Sequence, residues 1–213
     1  MEALLCLMIG YLVGTFNPSY LLGRLNGLDI REEGSGNAGA SNVIITFGKA
    51  PGAVVAFIDV LKTVFVINLC IRLFPGCTLA RPVAGTACVL GHIFPFYMHF
   101  RGGKGLACLG GIIVSYDVRL FLIMFMIALL ISFVTDYICF VPIIGSLIYP
   151  LMYGLMTGLW LGSVVYCILP VVMCYRHIEN LKRIRNGTEA RFSFLWNKAA
   201  EIDRLKQNNE NHK

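Results

Sequence analysis

Charge is what this sequence lacks. Only 14% of its 213 residues are Asp, Glu, Lys or Arg, while 57% are hydrophobic. A soluble domain carries roughly 25% charged residues, so this chain has too little polar surface to cover a water-facing body. That excludes a soluble globular protein and points to one integral membrane domain. C-x-x-C is missing as well, and none of the eight cysteines has a histidine at zinc spacing. They stand mostly in or beside apolar runs and read as small packing residues; no metal and no cofactor is expected. No basic-and-aromatic surface of the kind that takes nucleic acid is visible. The net charge of +6 therefore bears on membrane leaflets and anionic ligands. A basic leader is absent too: Glu2 stands where its charge would be, and the apolar run continues to Leu22, so the start reads as a first membrane helix.

What is present is a series of apolar runs near the length of about 20 residues that a spanning helix needs. They are Ala3–Leu22, Pro51–Leu73, Pro82–Phe100, Gly105–Tyr116, Val118–Thr135, Tyr137–Met156 and Leu159–Tyr175. The reading is an all-α integral membrane protein of about seven transmembrane helices, the fourth too short to cross unaided. A single domain over 1–188 is followed by a charged tail, 189–213. With the N-terminus outside and the C-terminus cytoplasmic, only Arg72, Arg81 and Arg119 face outward and Lys62 lies within a span; every other Lys and Arg falls inside, as the positive-inside rule asks. Gly10/Gly14 and Gly154/Gly158/Gly162 have the spacing that lets helices pack closely.

Three polar segments fall on the same side. The first, "GSGNAGASN" at 34–42, contains the letters G-x-G-x-x-G, yet neither a strand before it nor a βαβ unit around it supports a dinucleotide turn. Gly34 and Gly36 let a phosphate approach the backbone, and Ser35, Asn37, Ser41 and Asn42 offer hydrogen bonds. The second, "RGGKG" at 101–105, sets Gly102, Gly103 and Gly105 around Arg101 and Lys104, without the P-loop spacing. The third, "RHIENLKR" at 176–183, puts His177 and Asn180 on one helix face. His92, on an apolar helix, reads as a satisfied core histidine. Asp59 and Lys62, i and i+3 within a span, read as a structural ion pair.

With "DIREEGSGNAGASNV" at 29–43, "DVLK" at 59–62, "GHIFPFYMHFRGGKG" at 91–105 and "RHIENLKRIRNGTE" at 176–189, the chain resembles the acyl-phosphate:glycerol-3-phosphate acyltransferase family, PlsY. The resemblance covers most of the chain. It implies a bacterial plasma-membrane enzyme with its site on the cytoplasmic side. Its reaction would move a fatty acyl group from acyl phosphate to the 1-hydroxyl of glycerol 3-phosphate, giving lysophosphatidic acid and phosphate, with membrane lipid as the surrounding partner. It assigns catalysis to Ser35, Lys104, His177 and Asn180. Substrate binding would fall to Gly34, Gly36, Asn37, Asn42, Arg101, Gly102, Gly103 and Gly105, and Glu179 would be structural. Departures stand at Ile45, where the family usually has arginine, and at Cys139 and Pro142, where it usually has serines; Lys49 is the nearest cation to replace the arginine. A different donor or acceptor, an inactive relative and a transporter are the alternatives. Against a transporter, no internal repeat is visible. Against the soluble-type acyltransferases, no H-x-x-x-x-D occurs: Tyr97, Lys104 and Lys182 follow His92, His99 and His177 at that distance.

Overall fold

The computed structural model describes residues 1–197 together with 201, 203 and 204, and every regular element among them is helical. Ten α-helices follow one another: α1 (Glu2–Thr15), α2 (Pro18–Leu25), α3 (Ala40–Phe47), α4 (Lys49–Leu73), α5 (Ala80–Ile93), α6 (Leu106–Tyr116), α7 (Val118–Thr135), α8 (Phe140–Thr157), α9 (Trp160–Tyr166) and α10 (Ile168–Arg185). Five stretches are long and apolar enough to cross a membrane: Glu2–Leu25, Lys49–Leu73, Val118–Thr135, Phe140–Thr157 and Trp160–Arg185. The molecule is thus an all-helical, multi-pass membrane protein. α5 and α6, at 14 and 11 residues, fall below that length.

Breaks in the helices have local causes. The first apolar run is interrupted at Phe16 and Asn17, because Pro18 has no N–H for the Gly14 carbonyl. Asn17 caps the restart, its Oδ1 accepting the Tyr20 N–H at 2.9 Å. The expected span Pro82–Phe100 ends early, at Ile93. Pro95 disfavours helical geometry at Phe94, and the chain passes through a 3-10 turn, Phe96–Met98, into left-handed backbone at His99 and Phe100 (φ 54° and 59°). The last expected span, Leu159–Tyr175, is two helices that meet at Cys167, where Pro170 leaves the Tyr166 carbonyl without its usual donor. α10 then runs on to Arg185, well past the expected end.

α5 forms the centre of the bundle, most of its residues buried. Its contact with α1 is backbone to backbone: a Cβ on Gly14 would lie 2.2 Å from the Cys88 carbonyl oxygen, and one on Gly91 would lie 2.2 Å from that of Tyr11. The small-residue spacing at Gly10 and Gly14 has this packing as its purpose. The second glycine series works differently. Gly154 and Gly162 seat the side chains of the α8–α9 hairpin, and Gly158 is its left-handed turn (φ 71°). At the end of the bundle away from Lys104, Tyr149, Tyr153 and Tyr166 pack ring on ring, with centroids 5.0–6.1 Å apart. Arg81 lies over Tyr116 there and donates to the Ser115 carbonyl.

The segment after α10 is docked. The Phe192 N–H donates to the Asp136 carbonyl (2.7 Å), and the Ser193 N–H and hydroxyl donate to the Asp136 carboxylate (2.8 and 3.0 Å). Most of the expected tail beyond 197 lies outside the described residues.

Candidate active site

Three segments meet at one end of the bundle. The loop 26–39 is held by its own side chains. Asn42, fully buried at the start of α3, donates both amide hydrogens, to the Ile30 carbonyl (2.7 Å) and the Glu33 carbonyl (2.9 Å), and its Oδ1 accepts the Ser35 N–H (2.7 Å). A Cβ on Gly34 would lie 2.3 Å from that oxygen, so glycine is required there for closeness as well as for its φ of 54°. Asn42, expected to bind substrate, thus has both its donors engaged in shaping the loop. Ser35 itself is exposed. Asn37 Oδ1 is enclosed and has no hydrogen-bond partner among the described residues, the kind of group a ligand hydroxyl satisfies. Arg31 ties the loop to the next segment, bonding Asp29 (2.5 Å) and the Met98 carbonyl (2.8 Å). That bond holds the Asp29 carboxyl down at about 2.

The segment 101–105 is clamped to the end of α5. Gly102 N–H donates to the Ile93 carbonyl (3.0 Å) and Gly103 N–H to the His92 carbonyl (3.1 Å). These two amides are therefore not free for phosphate, contrary to expectation. The glycines serve closeness instead: a Cβ on Gly103 would lie 2.0 Å from His92 Nε2 and 3.0 Å from the Ala38 carbonyl. The same contact joins this loop to the Ser35 loop. Donors for an anion come from Lys104 and from the first turn of α6, whose N–H groups lack intrahelical partners.

Lys104 donates to Asn180 Oδ1. Asn180 Nδ2 donates to Glu189 Oε1 (2.5 Å), and Arg183 Nε donates to Glu189 Oε2 (2.6 Å). Arg176 joins from α10, donating to the Gly102 carbonyl at 3.3 Å. Burial first, then the nearby Arg183 guanidinium, draws the Lys104 ammonium down to about 8, with Glu189 opposing. His177 is buried, and its Nδ1–H donates to the Met173 carbonyl at 2.7 Å. A carbonyl only accepts, so the lone pair sits on Nε2. Arg101 is exposed.

Sequence reasoning missed Glu189 and Arg183. Charges just past a helix look like solvated decoration, yet here they complete a polar cluster, and the expected boundary at 188 cuts through it. Glu179 is the converse case. It is 67% exposed and pairs with Lys182 (2.9 Å), whereas Glu189 is the carboxylate held within the cluster. Lys49 is no substitute for an arginine at 45: Gly48 (φ 98°) breaks the chain between α3 and α4, and Lys49 turns to a surface hollow with Ile44 and Trp196. Ile45 touches the Ser35 loop, its Cγ2 lying 3.1 Å from where a Gly34 Cβ would be. Cys139 is buried within electrostatic range of Lys104 and Glu189.

Asp59 and Lys62 form a separate, deeper cluster. The Lys62 ammonium donates to the Phe16 carbonyl (2.6 Å) and lies 2.6 Å from Asp59 Oδ1 and 3.0 Å from His92 Nδ1, which is itself 3.3 Å from Asp59 Oδ1. Asp59, His92 and Cys108 have the geometry of a metal group, but the lysine is already bonded to two of the three.

Fold and site define a multi-pass membrane protein with a cluster of cations around one carboxylate, Glu189, at one end of its helices. The glycerol-3-phosphate acyltransferase family model matches residues 4–187, and the chain belongs to that family. The Bacillus subtilis glycerol-3-phosphate acyltransferase is 33% identical, over 90% of this chain and 98% of its own. Glycerol-3-phosphate acyltransferase 2 of Thermotoga maritima is 36% identical, over 88% of this chain and 95% of its own. The crystal structure of PlsY, an integral membrane glycerol 3-phosphate acyltransferase, in its glycerol 3-phosphate form superposes with a TM-score of 0.81 at 30% identity. It covers 92% of this chain and 98% of that one.

Proposed function

We propose that this chain is a glycerol-3-phosphate acyltransferase that takes its acyl group from acyl phosphate and releases lysophosphatidic acid and inorganic phosphate. The observation that carries the reading is the way a carboxylate is already held. Glu189 is bonded by Asn180 and Arg183, with Lys104 on the same Asn180, which is how an oxyanion of a substrate would be gripped. The solved PlsY forms with glycerol 3-phosphate and lysophosphatidic acid support the acceptor and product.

The chemistry needs little from the protein beyond position and charge. Acyl phosphate is a mixed anhydride, so its carbonyl carbon is already activated. The 1-hydroxyl oxygen of glycerol 3-phosphate attacks that carbon, the bond from carbon to the phosphate oxygen breaks, and the hydroxyl proton goes to a base. No protein nucleophile is required, and oriented charge supplies the rate. Lys104 holds phosphate; Ser35 and Asn180 align donor and hydroxyl. His177 Nε2, with its lone pair free, takes the proton, and the imidazolium so formed can then donate to the phosphate; a substrate phosphate is the other available base. The unpartnered Asn37 oxygen suits a glycerol hydroxyl.

The charge bias along the sequence supports seven crossings, N-terminus out and C-terminus in, in a bacterial inner membrane with the site facing the cytoplasm. α5 and α6 would then cross as short helices shielded by their neighbours. Purified protein given palmitoyl phosphate and glycerol 3-phosphate should release phosphate and form lysophosphatidic acid in equal amounts. Turnover with acyl-CoA but not acyl phosphate would overturn the donor assignment. Labels on the two termini should react from opposite sides of sealed vesicles; both reacting from one side would overturn the seven-crossing topology.

A further inference from the structure

The buried Lys62 cluster touches both substrate loops. On one side the ammonium donates to the Phe16 carbonyl, the group freed where the first span breaks. The next residue, Asn17, is almost wholly buried and donates through Nδ2 to the Ala38 carbonyl at 3.0 Å, inside the Ser35 loop. On the other side the ammonium is bonded to His92 Nδ1 (3.0 Å). The opposite edge of that ring, Nε2, lies 2.0 Å from the position a Gly103 Cβ would take, and the His92 carbonyl receives the Gly103 N–H at 3.1 Å. Lys104 follows directly. The two arms close on each other where Gly103 meets the Ala38 carbonyl.

We infer that Lys62, with Asp59 and His92, is the positioning group of the reaction: it fixes the spacing between the loop that carries Ser35 and the loop that carries Lys104. A buried pair needed only for stability could be replaced by packing, since well-fitted apolar residues often equal or better a buried ion pair. Here the ammonium donates to the Phe16 carbonyl on one arm and lies 3.0 Å from His92 Nδ1 on the other. A bare hydrophobic substitute would keep the helices together and let the loops drift. The inference rests on the acyl-transfer reading above, because it concerns the alignment of two substrates.

The test is the double variant Asp59→Leu/Lys62→Met in the full chain. It removes both charges of the ion pair at once. A folded double variant, melting within a few degrees of wild type, should lose tenfold or more in kcat while both KM values stay within about twofold, since misplacement of about 1 Å can cost on the order of 100-fold. A folded double variant with wild-type kcat would overturn the inference. Asn17→Ser supplies a second arm that leaves the charges alone. Serine still caps α2 but is too short to reach Ala38, so kcat should fall several-fold with both KM values and the melting temperature held. If the double variant does not fold, unchanged kcat in Asn17→Ser overturns the inference. Wild-type turnover is measured alongside; its absence would reject the acyl-transfer reading instead.

Discussion

Two lysines of one bundle live in opposite circumstances. Lys62 is 7% exposed, and its ammonium is enclosed by the Phe16 carbonyl, Asp59 and His92. Lys104 is half-buried, donates to Asn180, and is surrounded by more cations than carboxylates. The first is a closed network that has nothing left to offer a ligand. The second is an excess of positive charge that only an incoming anion completes. The same side chain is thus enclosed in one place and open to a ligand in the other, and the difference lies in whether its partners are already supplied.

The largest effect expected from breaking this contrast is on stability. Lys62→Met alone strands Asp59 without a cation and should destabilise the fold by about 3–5 kcal/mol, the usual result of removing one half of a buried pair. Thermal melting in detergent checks it. A melting point close to wild type would mean that Asp59 had been protonated or rehydrated at little cost, and Lys62 would no longer be the closed member of the contrast.

Lys104→Ala should do the reverse. The melting curve should move little, while turnover falls by about 2.7–4 kcal/mol in activation free energy, roughly 10²–10³ in rate, as for loss of one preorganised charge donor. Full activity in a well-folded Lys104→Ala protein would remove the residue from the site. Ile45→Arg sharpens the comparison from the other direction by adding a cation to the open side. Ile45 already abuts Gly34 of the Ser35 loop. A guanidinium there can make a charge-assisted bond worth about 1.5–3 kcal/mol, so KM for acyl phosphate should fall more than KM for glycerol 3-phosphate. Destabilisation with no gain for the donor would favour a relative whose donor pocket has been remodelled.

How much of this was legible follows the same division. The lysines, the glycine loop and the His177/Asn180 face stood in the sequence, because motif spacing and helical period reveal which groups share a side. Partners supplied by backbone did not. Nothing in the letters says that Lys62 bonds the Phe16 carbonyl, or that the Gly102 and Gly103 amides are taken by α5; those depend on where the helices break. Pro18, Pro95 and Pro170 were the available signals for the breaks. That Glu179 faces away from the cluster could have been read from the helical period. His177 and Asn180 lie on one face, and a residue two positions past His177 points away from it. Glu189 could not be reached that way, since it enters by a turn after Arg185.

The smallest effect expected is on pH dependence, and it bears on Lys104 alone. Its ammonium stands at about 8, below the ordinary 10.5, chiefly because burial disfavours the charge and Arg183 repels it. Below pH 8 the free site is cationic and binds the substrate anion. Above it the cation is lost, so kcat/KM for glycerol 3-phosphate should fall about tenfold per pH unit, the slope of one required proton. A bound phosphate favours the cation and raises its pKa, so kcat at saturation should hold to higher pH than kcat/KM does. Unfolding does not explain such a loss. Between about pH 8 and 10.5 the folded chain carries fewer protons at this group than the unfolded chain, so the group's contribution to stability grows with pH across that window. Lys104→Arg, whose charge persists throughout, should flatten the alkaline limb even if it lowers the rate. The measurement is a pair of pH profiles, one at saturating and one at limiting glycerol 3-phosphate, for wild type and Lys104→Arg. An alkaline limb that survives unchanged in the arginine variant would assign the proton to another group, and Lys104 would keep its charge through the working range.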